Sequence, residues 1–563
     1  MSLLHLAPLP VISFLIIASC GGNGGSSSSS PQEDAGVPVD AGGDAAEDAG
    51  PDASVPPIPC SVAHKGTSGV VIQGTVLAGA APLAGEIFID GTGRIACVAA
   101  SCAATAGYAN ATAFTCPDAV ISPGLINAHD HTEYNTTGPI GHGTTRWDHR
   151  NGWRTGAGGE PKLSGSPKKT ADPKVIAAAE LRFVMGGATS IIGSGGVGGL
   201  LRNLASFKDP TQLEGLTGPT VFFDTFPLGD SNGTELTSGC AYPNPRPPGT
   251  AFGTGSSYAA HVAEGINTAA ENEFLCVSGS LGLLTEQTAI IHGVGLNATD
   301  VEAIAKAKAK VIWSPRTNLS LYGNTAPVTV MKHLGVTLAL GTDWLASGSM
   351  NMLRELACAD TFNQAYLANT FTDEDLWLMA TRNAAVAARF DTEIGELKPG
   401  MFGDVAVFSG ATKDWRAVIT AGVEDVRLVL RGGKVLYGDA DLVTALSASC
   451  AALDVCGVPK QVCIDTPGLT LADVEAAAQP IYPLFFCKGT APMNEPSCVP
   501  YRATYANGIT ATDHDGDGVD DTKDDCSGVF NPVRPMDGTA QADVDKDGAG
   551  DVCDAKPTDP SAK

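Results

Sequence analysis

The 563-residue chain has ten histidines, and four of them sit where apolar runs end. His129 and His131 form an H-x-H inside Ser122-Pro-Gly-Leu-Ile-Asn-Ala-His-Asp-His131. His261 opens His261-Val262-Ala263-Glu264, His292 precedes Gly293, and Asp343 closes Leu340-Gly341-Thr342-Asp343. On a strand, residues i and i+2 point to the same side, so two imidazoles can approach one cation. Three imidazoles (His129, His131, His261) and one carboxylate (Asp343) suit Zn²⁺ or Fe²⁺ with a position left open for water. Taken singly each fragment is weak, and an isolated H-x-H is more often structural. The ordered set at the ends of apolar runs is far more specific.

The elements that must carry these residues alternate as a parallel barrel requires. Short β patterns fill 66–122, including Gly69 to Gln73, Gly85 to Asp90 and Ile95 to Val98. From 123 onward buried-strand runs at 121–129, 188–193, 221–223, 259–264, 289–292, 311–314 and 337–340 give seven strands. Val175 to Met185, Asp300 to Ala307 and Ala326 to Leu334 read as intervening helices. An eighth strand is expected in the Pro/Gly-rich stretch 227–257, where none is legible. In a parallel barrel the strand C-termini share one rim, and that rim hosts chemistry. The stretch 132–172 follows the first strand and holds Trp147, Arg150, Trp153 and Arg154. Its position makes it a candidate lid, with Trp147 as a candidate substrate contact.

Together with Ile394-Gly-Glu-Leu-Lys-Pro-Gly-Met-Phe-Gly-Asp404, these blocks resemble the amidohydrolase superfamily over about residues 66–440. The flavour is that of imidazolonepropionases, cytosine deaminases and the triazine and adenosylhomocysteine deaminase group. The resemblance implies an α/β fold, a (β/α)₈ TIM barrel with a small composite β-sandwich. It implies metal binding by His129, His131, His261 and Asp343, with Glu264 as proton shuttle. His292 would touch the attacked oxygen or the metal-bound water, or ligate directly; Glu264 as a plain rim salt bridge is the bland alternative. A bound cation acidifies its water, Asp343 can take the proton, and His292 can steady an oxyanion. Two-metal relatives bridge their ions with a carboxylated lysine, and no lysine lies between Lys208 and Lys306, so one catalytic metal is expected. Related deaminases often carry a small polar residue where Arg316 stands in Ser314-Pro-Arg-Thr-Asn318. Arg316 therefore reads either as a contact for an anionic or carbonyl-bearing substrate or as the partner of a structural carboxylate.

Both ends of the chain are acidic. Net charge is −26, of which residues 21–59 contribute seven acids with no Lys or Arg, and residues 513–563 fourteen Asp against five basic residues. Asp513, Asp515, Asp517, Asp521 and Asp524 follow D-x-D-x-D-G-x-x-D-x-x-D, and Asp543, Asp545, Asp547, Asp551 and Asp554 repeat the core of that pattern. Alternating carboxylates with Gly at the sixth position let a short loop wrap Ca²⁺. The repeats resemble thrombospondin type 3 repeats, which implies a Cys526–Cys553 bridge. At the other end, Val11 to Ser19 is an apolar run too short to span a bilayer. Ile17-Ala-Ser-Cys20 resembles a bacterial lipobox, with Cys20 as the lipidation site and Gly21 directing outer-membrane retention. The remaining fourteen cysteines form groups of four, three, five and two, and the two odd groups demand a bridge between them or free thiols.

The expected organisation is a signal peptide (1–20), a disordered acidic linker (21–59), sandwich halves (60–122 and 396–440) around the barrel (123–395), a Cys-containing segment (441–510) and calcium repeats (511–563). Acidity argues against nucleic acid as a partner. No long apolar stretch allows a multispan transporter, so membrane attachment would rest on Cys20 alone. The reading is an exported hydrolase of a C–N bond in a small molecule, a cyclic amide or a ring amidine. Hydrolysis of a linear amide or dipeptide, and a non-catalytic calcium-binding surface lipoprotein, are the alternatives.

Overall fold

A computed structural model describes residues 58–206, 209–446 and 450–562. Cys20, the lipobox and nearly all of the acidic linker lie outside them. The described chain runs through β1 (Ser61–His64), β2 (Val70–Val76), β3 (Leu83–Ile89), β4 (Ile95–Ala99) and β5 (Thr112–Pro123). Eight strands follow: β6 (Leu125–Asp130), β7 (Ala188–Gly193), β8 (Arg202–Asn203), β9 (Phe222–Asp224), β10 (Tyr258–Val262), β11 (Thr288–His292), β12 (Lys310–Trp313) and β13 (Thr337–Leu340). The last five are β14 (Val405–Ser409), β15 (Val426–Arg431), β16 (Lys434–Asp439), β17 (Ala451–Val455) and β18 (Val458–Val462).

Strands β6–β7–β8 and β9 through β13 form two parallel sheets. Their ends are joined by backbone hydrogen bonds. Val221 N–H donates to Leu204 O at 2.8 Å beside β8 and β9, and His131 N–H donates to Asp343 O at 2.8 Å beside β6 and β13. Strands such as Tyr-Ala-Ala-His-Val and Thr-Ala-Ile-Ile-His are buried at every position, as strands covered on both faces must be. The helix Pro173–Met185 shows how sequence sets the covering layer. Asp172 caps it by accepting from Lys174 N–H, Pro173 suits the first turn, and Ile176 to Met185 are all buried.

The eighth strand is β8, outside the stretch where it was expected. No strand begins within 227–257 among the described residues. β8 is two residues long and polar, because Arg202 makes a two-pronged ion pair with Asp404, through Nε and Nη2 at 2.9 Å each. Asp404 lies just before β14, so this pair pins the second sheet system to the parallel strands.

That second system is one ten-stranded sheet built from both flanks. β5 and β14 meet antiparallel, from Val405 opposite Pro123 to Ser409 opposite Ala119. Residues 451–462 add β17 and β18 to its edge, the hairpin closed by Cys450–Cys463. All fourteen cysteines among the described residues are paired, as 60–116, 97–102, 240–276, 358–498, 450–463, 456–487 and 526–553. Cys358–Cys498 joins the two odd groups. The tail after Ala503 is nearly all loop and leans on the parallel strands' connections: Phe530 N–H donates to Tyr366 O at 2.9 Å, and Arg534 Nη1 to Leu296 O at 2.8 Å.

Candidate metal centre and catalytic cavity

His129 lies in β6 and His131 just past its end, His261 lies in β10, and Asp343 follows β13. One donor atom from each of the four lies within 4.8 Å of all the others. Nε2 of His131 and Nε2 of His261 are 3.2 Å apart, and Nε2 of His129 is 3.0 Å from Asp343 Oδ1. Donors about 3.3 Å apart are what a four-coordinate ion with bonds of about 2.0–2.1 Å needs. His261 Nδ1–H donates to Asp224 O at 3.1 Å, which leaves Nε2 as a lone pair. Burial pushes all three imidazoles down, His131 to about 3, and the neighbouring histidines add to the effect. Neutral rings with converging lone pairs fit a divalent cation.

Backbone conformation at the strand ends shows how tightly the rim is held. Ala263, His292 and Asp343 have φ of 56°, 73° and 64°, left-handed values that non-glycine residues rarely adopt. Gly341 is required where β13 passes β6, since a Cβ there would lie 2.7 Å from His129 Cβ. Asp343 Oδ2 accepts from Thr317 Oγ1 at 2.8 Å, which fixes the carboxylate's plane.

Glu264 and His292 lie beside the four. Tyr322 Oη donates to Glu264 Oε1 at 2.7 Å, leaving Oε2 3.7 Å from His292 Nε2 and 3.9 Å from Arg150 Nη1. His292 Nδ1 pairs with Asn318 Oδ1 at 3.1 Å, so Nε2 is the ring atom left to face a ligand. His131, His261, Glu264, His292 and Asp343 open onto a cavity of about 590 Å³. Tyr134, Trp153, Phe226 and Trp344 supply aromatic wall, and the stretch 132–172 contributes Arg150, Arg154 and Lys169. A cavity of this size accommodates a small organic molecule.

Two sequence expectations are corrected. Trp147 is buried beneath the cavity wall, packed with Leu163, Ile266, Val294, Leu321 and Tyr322, and its Nε1–H donates to Pro161 O at 2.6 Å. Trp153, six residues on, faces the cavity instead. Arg316 is buried away from the cavity, donating from Nε to Ser349 Oγ at 2.6 Å and from Nη2 to Arg354 O at 3.0 Å, with Glu495 Oε2 3.3 Å from Nη1. It is the partner of a structural carboxylate. Sequence reasoning passed over Tyr322 and Trp344, whose only cue was proximity to Arg316 and Asp343 in the chain.

The C-terminal loops are built in register. Asp513, Asp515 and Asp517 bring donor oxygens within 4.8 Å of one another, as do Asp543, Asp545 and Asp547. Gly518 N–H donates to Asp513 Oδ2 at 2.9 Å and Gly548 N–H to Asp543 Oδ2 at 3.1 Å. Burial, then the carboxylates of Asp517 and Asp524, push Asp515 up to about 8. Buried Oδ2 atoms of Asp515, Asp524, Asp545, Asp547 and Asp554 have no hydrogen-bond partner.

Residues 252–436 match the amidohydrolase family. Over 128 residues, 22% of this chain and 29% of the relative, the chain is 36% identical to the 5-methylthioadenosine/S-adenosylhomocysteine deaminase of Teredinibacter turnerae. Over 177 residues, 30% of this chain and 41% of the relative, it is 31% identical to the enzyme of that name from Halobacterium salinarum. The chain thus spans less than half the length of these curated relatives. Among solved structures it is similar to atrazine chlorohydrolase from Arthrobacter aurescens complexed with zinc, at TM-score 0.47 and 18% identity over 65% of this chain and 95% of that one.

Proposed function

We propose that the chain is an amidohydrolase-superfamily enzyme that deaminates a ring amidine in a small heterocycle, its eight parallel strands forming a (β/α)₈ barrel flanked by a composite β-sandwich. The observation that carries this reading is the convergence of His129, His131, His261 and Asp343 beside a cavity that Glu264 and His292 also enter. The deaminase names of the relatives favour an amidine over a cyclic or linear amide. Those four residues would hold one transition metal, zinc by preference, which when bound supplies Lewis acidity and an acidified water.

The chain's own groups divide the remaining work. Glu264 carries protons at Oε2, because Oε1 is occupied by Tyr322. His292 presents Nε2 to the substrate's reacting centre and is held in that orientation by Asn318. Asp343 accepts a proton while Thr317 keeps its second oxygen in place. The aromatic wall excludes water from the face of a bound ring.

The tail is read as a calcium-binding spacer of thrombospondin type 3 character, supported by two Asp trios that each bring donor oxygens within 4.8 Å of one another. Export as an outer-membrane lipoprotein through Cys20 is supported by seven disulfides, which belong to an oxidising compartment. The test of the catalytic reading is ammonia release from a panel of aminated heterocycles, adenosine among them, by zinc-loaded protein with Asp343→Ala as control. Absence of ammonia across the panel from protein carrying its metal overturns it.

A further inference from the structure

Three cations line the cavity, and two are already neutralised. Arg150 Nη2 lies 2.7 Å from Asp230 Oδ2 and 3.0 Å from Glu273 Oε1, and Lys169 lies 2.9 Å from Glu133. Arg154 differs. Among the described residues no carboxylate comes within ion-pair distance of it. Its guanidinium donates only to neutral acceptors, Asn151 Oδ1 at 2.6 Å and Ser231 O at 3.2 Å, and lies 4.3 Å from the Phe226 ring centroid. Two of its five N–H groups are thereby used.

Leaving a half-buried arginine without a counter-charge is costly, and such cations are ordinarily paired. Burial and then the neighbouring Arg150 work against the charge of Arg154, and more distant carboxylates offset them only in part. The nearby acids act on it only from beyond ion-pair distance: Glu264 and Asp230 favour its charge, Asp230 while pairing with Arg150, and Asp224 is engaged by Arg246. Trp153 and Trp344, 5.4 Å apart, form an aromatic wall beside it, with Phe226 under the guanidinium.

We propose that Arg154 determines specificity by meeting an anionic substituent, a carboxylate or equivalent oxyanion, carried by the substrate while its heterocycle lies against the aromatic wall. The inference rests on the catalytic cavity proposed above and deepens it by naming the substrate class. An arginine–carboxylate contact in such a site is worth about ten- to a hundredfold in affinity.

The test compares adenosine with adenosine 5′-carboxylate, measuring Kd by calorimetry on the zinc-loaded full chain and ammonia release in parallel. Wild-type protein is expected to bind the carboxylate at least tenfold more tightly than adenosine. That ratio collapses toward one in Arg154→Gln and is largely kept in Arg154→Lys. A wild-type ratio near one, no binding of either compound, or a ratio unchanged in Arg154→Gln overturns the inference. Ammonia release from both compounds without carboxylate preference leaves the deaminase reading standing and removes this one. Preferential, Arg154-dependent binding with no ammonia does the reverse.

Discussion

Tyr322 holds Glu264 by one oxygen, Oη to Oε1 at 2.7 Å, inside a site where both side chains are buried. Burial, and then Glu264 itself, push the Tyr322 hydroxyl well above its usual value, so it stays a donor. Removing it frees the carboxylate to rotate and leaves it under-solvated. Tyr322→Phe is expected to lower kcat about tenfold or more while KM moves less than about threefold, in steady-state assays at unchanged metal content. An equal loss spread over KM would place Tyr322 in substrate binding instead.

Metal stoichiometry follows from the donor set. Elemental analysis should find about one transition metal per chain, apart from calcium. His131→Ala should lose that metal and the activity together, because His131 Nε2 lies close to donor atoms of both His261 and Asp343. A reproducible value of two per chain would contradict the single-ion reading.

Arg502 stands far from the ligands yet braces the cavity. Its Nη1 donates to Tyr322 O at 2.9 Å and Trp147 O at 3.2 Å, and its Nη2 pairs with Asp148. Arg502→Ala leaves two carbonyls and a carboxylate without their donor, at a cost of about 1–3 kcal/mol each where burial is complete. The variant should melt at lower temperature and be cleaved faster within 132–172 by limited proteolysis, with Arg502→Lys intermediate.

The tail should respond to pH in opposite ways with and without calcium. Asp515 and Asp517 are raised to about 8 and about 6, in each case first by burial and then by neighbouring carboxylates. A carboxyl raised above its unfolded value costs stability at higher pH, and that cost fades as pH falls through the folded value. In EGTA, the tail should therefore unfold at higher temperature at pH 5 than at pH 8. With saturating Ca²⁺ the order should invert, and calorimetry at pH 7 should detect proton release on binding. A pH-independent melting temperature in EGTA would argue against carboxylate crowding.

Much of the site was legible because its ligands are spelled locally. His129-Asp-His131 declares its geometry through strand periodicity, and His261 to Glu264 does so by spacing along one strand end. What escaped the sequence depends on distant partners. β8 is two polar residues held by Arg202–Asp404, so no apolar run announces it. Trp147 and Trp153 share one irregular stretch, where no period says which faces the cavity. Arg316 lies in the first turn of the helix after β12 in either role, and only Glu495, far along the chain, decides between them.

The position of Arg502 and of the Cys358–Cys498 bridge sets an order on biosynthesis. A nascent chain displays all three ligand-bearing segments well before the ribosome reaches the residues that clasp them. Until that clasp arrives, the carbonyls of Trp147 and Tyr322 and the carboxylate of Asp148 lack the donor that ties them together. A fragment trimmed to the family-matched residues 252–436 would lack that clasp and His129 and His131 with it.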